Sequence, residues 1–249
     1  MARIKGLDSR YWDASMLPGY NFEWVGIKIS QEKQTNLNLS APHKQWRLAK
    51  DDLGLNRLPF HFWRGMFRRG DTDPEKHGRE QAEFFFEETQ KLGKGLGELP
   101  PAIDAESQWE SPGLNALIDI CATCKRTEEL WGRAPLIYTA SWWWNRWITP
   151  YHNYNPVKYN PYQYMLWEAD TPPDTKEPGK WTKVELKIVQ EILDWHAPGF
   201  NAGIDVDYAD KVWYNKEVNS GTPIPPVEKA QVEVRFDPNE AEIKLTETI

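Results

Sequence analysis

Eight short apolar runs alternate with longer amphipathic ones, and that order constrains the fold more than any other feature. The runs are RIKGLD, WVGIKIS, LPFHFW, PAIDAE, PLIYTA, YMLWEA, ELKIVQEI and AGIDVDYA, each bounded by Gly, Pro, Asn or charged turn residues. Helical periodicity fills the gaps after the second, third and fourth runs (HKQWRLAKDDLG, EKHGREQAEFFFEETQKLG and GLNALIDICATCKRTEELWG), and SWWWNRW reads as a shorter helix after the fifth. Between the last three runs no helical pattern is present. Strand, helix, strand order implies a parallel sheet, and eight strands imply a closed α/β barrel of the TIM-like kind, mainly parallel and short of helices in its last part.

Length agrees, since barrels of this type occupy about 250 residues as one domain. The chain has 249 residues, which are expected to divide into a barrel over 1–217 and a tail over 218–249. That tail begins with the stiff GTPIPPVE and continues as QVEVRF and AEIKLTE around DPNE, a pattern for a short β-hairpin. No apolar run reaches the roughly 18 residues of a membrane helix, and MARIKGLDSRYW lacks the apolar middle of a secretory signal. Neither membrane nor nucleic acid is expected as a partner; the net charge of -7 opposes phosphate binding.

The fourth run carries the chemistry. In PPAIDAESQWE, Ile103 and Ala105 occupy one face of a strand while Asp104 and Glu106 occupy the other, so the two carboxylates are neighbours. Like charges that close raise the proton affinity of at least one partner, which prepares a general acid. An acidic pair capping the next helix is the plainer alternative. Asp8, Ser30, His61, Glu168, Asp170, Gln190 and Asp205 also fall near the carboxyl ends of runs, the ends that a barrel gathers onto one face. Together they predict one acidic pocket.

Its contents point to sugar rather than to a metal or cofactor, neither of which is expected. Only His61 stands at a strand end, whereas metal sites combine carboxylates with closely spaced histidines. Cys121 and Cys124 have no second ligand pair and read as thiols packed on a helix face. The 14 tryptophans are many for this length, and Trp12, Trp63, Trp109, Trp142, Trp143, Trp144, Trp147, Trp167 and Trp195 all fall at or just past strand ends. Indole rings stack on the C–H faces of pyranoses, although any single Trp is more often core.

GLDSRYW, WVGIKISQE, PFHFWRG, LPPAIDAE, PLIYTASWWWNRW, LWEAD and APGFNAGIDVDYA, in that order from about residue 4 to 210, resemble glycoside hydrolase family 25 lysozymes, the muramidases of phage endolysins and secreted bacterial and fungal enzymes. The resemblance implies a barrel of five β/α units followed by three strands. It implies cleavage of the β-1,4 bond between N-acetylmuramic acid and N-acetylglucosamine in peptidoglycan, the expected partner. Glu106 matches the general acid, Asp104 the carboxylate beside it, and Asp8 and Asp205 two further acidic residues. Phe60, His61, Tyr138, Trp63, Trp109, Trp142, Glu168, Asp170 and Gln190 are the candidate substrate contacts. Phe60 stands where tyrosine is common and Asp207 where Asn is frequent.

Two carboxylates on one side of the sugar suit participation by the substrate's own 2-acetamido oxygen, one of the exceptions to the two-carboxylate mechanism. A chitinase-like enzyme on another N-acetylhexosamine polymer, or a wall-binding relative without catalysis, are the alternatives. Delivery by a holin or on a virion is the natural expectation for a phage enzyme without a signal sequence, and a secreted enzyme whose signal has been removed fits equally well.

Overall fold

Inward and outward residues alternate along each strand, and the two faces build two separate cores. The computed structural model describes residues 2–8, 20–32, 34–35, 40–65, 72–107, 113–169, 178–182, 184–195 and 204–220. Strands β1 (Arg3–Asp8), β2 (Trp24–Gln31), β4 (Asn56–Phe62), β5 (Ala102–Asp104), β6 (Leu136–Thr139), β7 (Met165–Ala169), β8 (Leu186–Trp195) and β9 (Ile204–Asp210) form the barrel, and β3 (Gln34–Thr35) is a two-residue hairpin arm on β2. Neighbours from β1 through β2, β4, β5, β6 and β7 to β8 run parallel. β9 is antiparallel to both β8 and β1 and closes the ring. All eight runs recognised in the sequence are strands of this barrel.

Helices α1 (Ser40–Asp51), α2 (Pro74–Lys91), α3 (Leu114–Trp131) and α4 (Ser141–Trp147) follow β3, β4, β5 and β6. Each end has a local cause. Asp73 caps α2 by accepting from the backbone N–H groups of Glu75 and Lys76, with Pro74 in the first turn, where no intrahelical donor is needed. α3 stops at Gly132, whose φ of 64° is left-handed. Gly78 lets α2 approach α3 closely: a Cβ there would lie 2.3 Å from the carbonyl oxygen of Asp119.

Leu7, Val25, Ile27, Ile103, Ala105 and Ile137 face outward and are buried under Trp46, Phe85, Leu117, Trp131, Trp143 and Trp144 of the helical layer. Ile4, Trp24, Leu58, Phe60, Ala102, Leu136, Tyr138, Trp167, Ile188 and Ala209 fill the barrel interior. α5 (Lys211–Asn219) was not legible in the sequence and ends two residues past the expected boundary at 217. Its Trp213 and Tyr214 join the interior cluster, and the Tyr214 hydroxyl donates to the Glu23 carbonyl (3.0 Å), closing the amino-terminal end. The tail from residue 221 lies outside the described residues. Cys121 and Cys124 are buried free thiols on α3, and burial pushes the Cys121 thiol up to about 12.

Candidate active site

The cavity sits at the other end of the interior stack, where the inward-facing residues turn polar. Asp8, Lys28, Phe60, Phe62, Asp104, Glu106, Tyr138, Trp167 and Asp205 line a space of about 210 Å³. Asp8 ends β1, Phe62 ends β4 and Asp104 ends β5. Because β9 runs against β1, its early residue Asp205 is the register partner of Asp8. The antiparallel β9 therefore brings the Asp205 carboxylate to the mouth formed by the carboxyl ends of the parallel strands.

Trp167 is the floor. Its ring meets Tyr138 (5.0 Å), Trp24 (5.8 Å) and Phe60 (6.3 Å) edge to face. Its Nε1 donates to Asp207 Oδ1 at 2.8 Å, from strand β9. The indole reaches across to β2 only because residue 26 is glycine: a Cβ there would stand 2.9 Å from Asp8 Cβ and 3.1 Å from Trp167 Cη2. Behind Tyr138, its hydroxyl donates to Gln190 Oε1 at 3.0 Å.

Charge is crowded in this space. Burial, then Asp205, raises Glu106 to about 7, against the opposing pull of Lys28. Asp104 is held well above the usual carboxylate range by burial and then by Glu106, again opposed by Lys28. Burial and then Asp207 raise Asp8, with Asp205, Asp104 and Glu106 adding to the effect. Asp207 is raised by burial against the hydrogen bond from Trp167. Among the described residues, Asp104 Oδ1, Asp207 Oδ2 and Gln190 Nε2 are buried without a hydrogen-bond partner. Unpartnered buried oxygens on proton-retaining carboxyl groups form a site that can donate a proton near neutral pH and accept a polar ligand group.

The structure brings together Asp8, Asp104, Glu106, Asp205, Phe60 and Tyr138, with Gln190 behind Tyr138. It does not bring Ser30, His61, Trp63 or Glu168 to the cavity. His61 faces outward, between Ser30 Oγ (2.9 Å) and Gln81 Oε1 (3.2 Å), stacked on Phe85 at 5.5 Å. Burial lowers it to about 3, so its ring is neutral. Trp63 donates to Asp119 Oδ1 at 3.0 Å in the helical layer. Glu168 follows Trp167 on β7 and so faces the opposite side of the sheet. Trp142 is 47% exposed on α4 and does not line the cavity. Trp12, Trp109, Asp170 and the Trp195 side chain lie outside the described residues.

Lys28, Phe62 and Asp207 were missed, and Trp167, counted among the strand-end tryptophans, was not singled out as a cavity wall. The signal was strand alternation, since Lys28 is two residues from inward Gly26, Phe62 two from Phe60, and Asp207 two from Asp205. Among the described residues, no group of three or more His, Cys, Asp or Glu side chains is arranged to hold a metal ion.

Residues 17–185 match glycosyl hydrolases family 25. The chain belongs to that family. The matched stretch includes Asp104 and Glu106, whereas Asp8, Gln190 and Asp205 flank it. This family 25 barrel superimposes on a family GH25 lysozyme from Aspergillus fumigatus with a TM-score of 0.61, 20% identity, and coverage of 87% of this chain and 99% of that one. A muramidase from Acremonium alcalophilum gives 0.61 and 19%, covering 88% and 100%. The Clostridium perfringens spore cortex lytic enzyme SleM gives 0.66 and 18%, covering 84% and 67%. No curated protein matches the sequence. A family 25 member is a glycoside hydrolase, and an acidic cavity with an aromatic floor is the kind of site such an enzyme needs.

Proposed function

We propose that this glycoside hydrolase is a peptidoglycan muramidase that cleaves the β-1,4 bond on the reducing side of N-acetylmuramic acid, with Glu106 as general acid. The observation that carries the reading is Glu106 itself, held to about 7 at the mouth of a half-open cavity beside Asp104. Family membership and the folds shared with a lysozyme and a muramidase support the substrate class.

In this mechanism Glu106 protonates the glycosidic oxygen as its bond to C1 breaks. The acetamido carbonyl oxygen of the same sugar bonds to C1 from the opposite face, and Asp104, with its unpartnered Oδ1, accepts from the acetamido N–H. Water then adds to C1, giving its proton to Glu106, and the acetamido oxygen leaves. Two inversions leave the β configuration. Asp205 helps keep Glu106 protonated until a substrate arrives, and Asp8, itself raised by burial and the surrounding carboxyl groups, completes the acidic wall.

Digestion of purified cell walls tests the reading. New reducing ends should be N-acetylmuramic acid, and proton NMR should show the β anomer first. N-acetylglucosamine ends, or equal cleavage of chitin oligomers, would replace the substrate; an initial α anomer would remove acetamido participation in favour of direct attack by water. We further propose that the catalytic unit ends with α5, so a chain stopped after Thr222 should still hydrolyse soluble wall fragments in the same assay.

A further inference from the structure

The cavity is small for a polymer-cleaving enzyme. At about 210 Å³ it lies below the roughly 300–1,000 Å³ of sites that enclose a drug-sized ligand, so a glycan strand must run mostly outside it. The surface next to the mouth has the chemistry to receive that strand. Trp143 donates from Nε1 to the carbonyl of Ser107, the residue after Glu106, at 2.8 Å. The first turn of α4 is thereby tied to the acid's own segment, and Trp142 sits in that turn with 47% of its surface exposed.

The chain then continues over the starts of α2 and α3. A 3-10 turn at Thr149–Tyr151 places the Tyr151 ring against Gly113, immediately before α3, with Cε2 3.2 Å from where a Cβ would stand. Further on, Lys158 Nζ (2.7 Å) and the Tyr159 hydroxyl (3.0 Å) both donate to Glu75 Oε2 in the first turn of α2. α2 and α3 begin where β4 and β5 have ended, so these anchors hold residues 149–159 at the carboxyl-end side of the barrel. Tyr154 stacks on the anchored Tyr159, 6.1 Å between centroids and 13° between planes, and its backbone N–H donates to Tyr151 (2.8 Å). Tyr151 and Tyr154 are nonetheless 42% and 48% exposed. Rings held by these contacts with nearly half their surface in water, at the end of the barrel that carries the active site, leave apolar faces open to a ligand.

We propose that Trp142, Tyr151 and Tyr154 form an aromatic shelf that binds the β-linked N-acetylhexosamine strand beyond the sugar being cleaved. The shelf rests on the muramidase reading for the identity of the strand. Its chemistry is stacking of indole and phenol rings on pyranose C–H faces, which tolerates the alternation of two sugars because both present such a face.

Two measurements decide it. In Trp142→Ala/Tyr154→Ala the ratio of kcat/KM for long glycan strands to that for the shortest cleaved oligosaccharide should fall about tenfold, mainly through KM, as two stacking contacts are lost. Val157→Ser, on the same segment but without a ring, should keep the wild-type ratio. In a Glu106→Gln background, which binds without turnover, the same pair of changes should weaken binding of purified glycan strands by about the same factor. A ratio and an affinity both within about twofold of the parent would overturn the shelf. A wild-type chain that binds strands but cleaves none would remove the muramidase reading while the binding arm still decides the shelf; absence of binding by either parent overturns both.

Discussion

Two buried polar clusters lie on opposite faces of the same strands, and they are built on opposite rules. On the outer face, Ser30, His61, Gln81, His77, Asp119, Trp63 and Thr123 form a connected network. Asp119 accepts from Trp63 Nε1 (3.0 Å) and Gln81 Nε2 (3.3 Å) and pairs with His77 Nδ1 at 2.7 Å, while Gln81 Nε2 also reaches the Arg64 carbonyl at 3.1 Å. On the inner face, Asp8, Asp104, Glu106, Asp205 and Asp207 crowd like charges together and leave Asp104 Oδ1 and Asp207 Oδ2 unpartnered. A satisfied network fixes helices on a barrel; an unsatisfied one stores proton affinity for a ligand to use. Removing a member of the first should cost stability, and removing a member of the second should cost chemistry.

Glu106→Gln is the largest break. It keeps the side chain's shape but has no proton to give, so turnover should drop by about a hundred- to ten-thousand-fold. The sign of the pH dependence follows from the raised value. The protonated form is favoured in the fold, so its stabilising contribution is complete below 4.5 and is lost as pH rises through about 7, and general-acid activity falls over that same upper limb. Glu106→Gln should therefore show a flatter stability profile between those values than the wild type. Wild-type turnover in the variant would make the pair a mere acidic loop mouth.

His77→Ala probes the outer network. Without its partner, Asp119 stays buried among Trp63, Gln81 and Thr123, and breaking such a pair costs about 3 kcal/mol. Urea denaturation should show that loss, while kcat and its pH profile, measured where the variant is folded, should match the wild type. Thr123→Val, which removes the bond to the Asp119 carbonyl (2.8 Å), should cost about 1 kcal/mol in the same direction. A shift of the pH profile in either variant would mean that the two clusters communicate through the sheet.

The sequence made the barrel legible because each strand run is short, bounded and apolar, and because the helices between them are long enough to show their period. It also placed Asp8, Asp104 and Glu106 on one mouth by the rule that the carboxyl ends of strands converge, whereas Asp205 reaches that mouth because it lies early on β9, which runs antiparallel to β1. It misplaced His61, Trp63 and Glu168 for one reason: nearness to a strand end does not say which face a residue takes. Alternation does, and once Asp104 is inward its neighbour Ile103 is outward, as is His61, the register partner of Ile103. Lys28 and Trp167 were readable by the same count. Short β3 was not, having two residues, nor was α5, whose burial rests on Trp213 and Tyr214 alone. Sequence periodicity reports long elements with many buried positions, and these have few.

The smallest expected effect is at Asp207, which belongs to the inner cluster by position yet resembles the outer one in having a firm partner. Its Oδ1 accepts from Trp167 Nε1 at 2.8 Å and so anchors the cavity floor, while burial favours its neutral form. Asn offers the same acceptor and cannot ionise. If Asp207 works as a neutral anchor, Asp207→Asn should retain kcat/KM within about threefold, and Asp207→Leu, which has no acceptor for the indole, should raise KM more than it lowers kcat. The linkage again runs downhill with pH: the raised group supports the fold while protonated and withdraws that support as pH climbs through its folded value. Asp207→Asn should therefore gain stability over the wild type progressively toward alkaline pH, read by thermal unfolding across a pH series. A hundredfold loss of turnover in Asp207→Asn, on the scale of losing an acid–base group, would show instead that Asp207 is needed as a charge, and would move it from the anchored class into the reacting one.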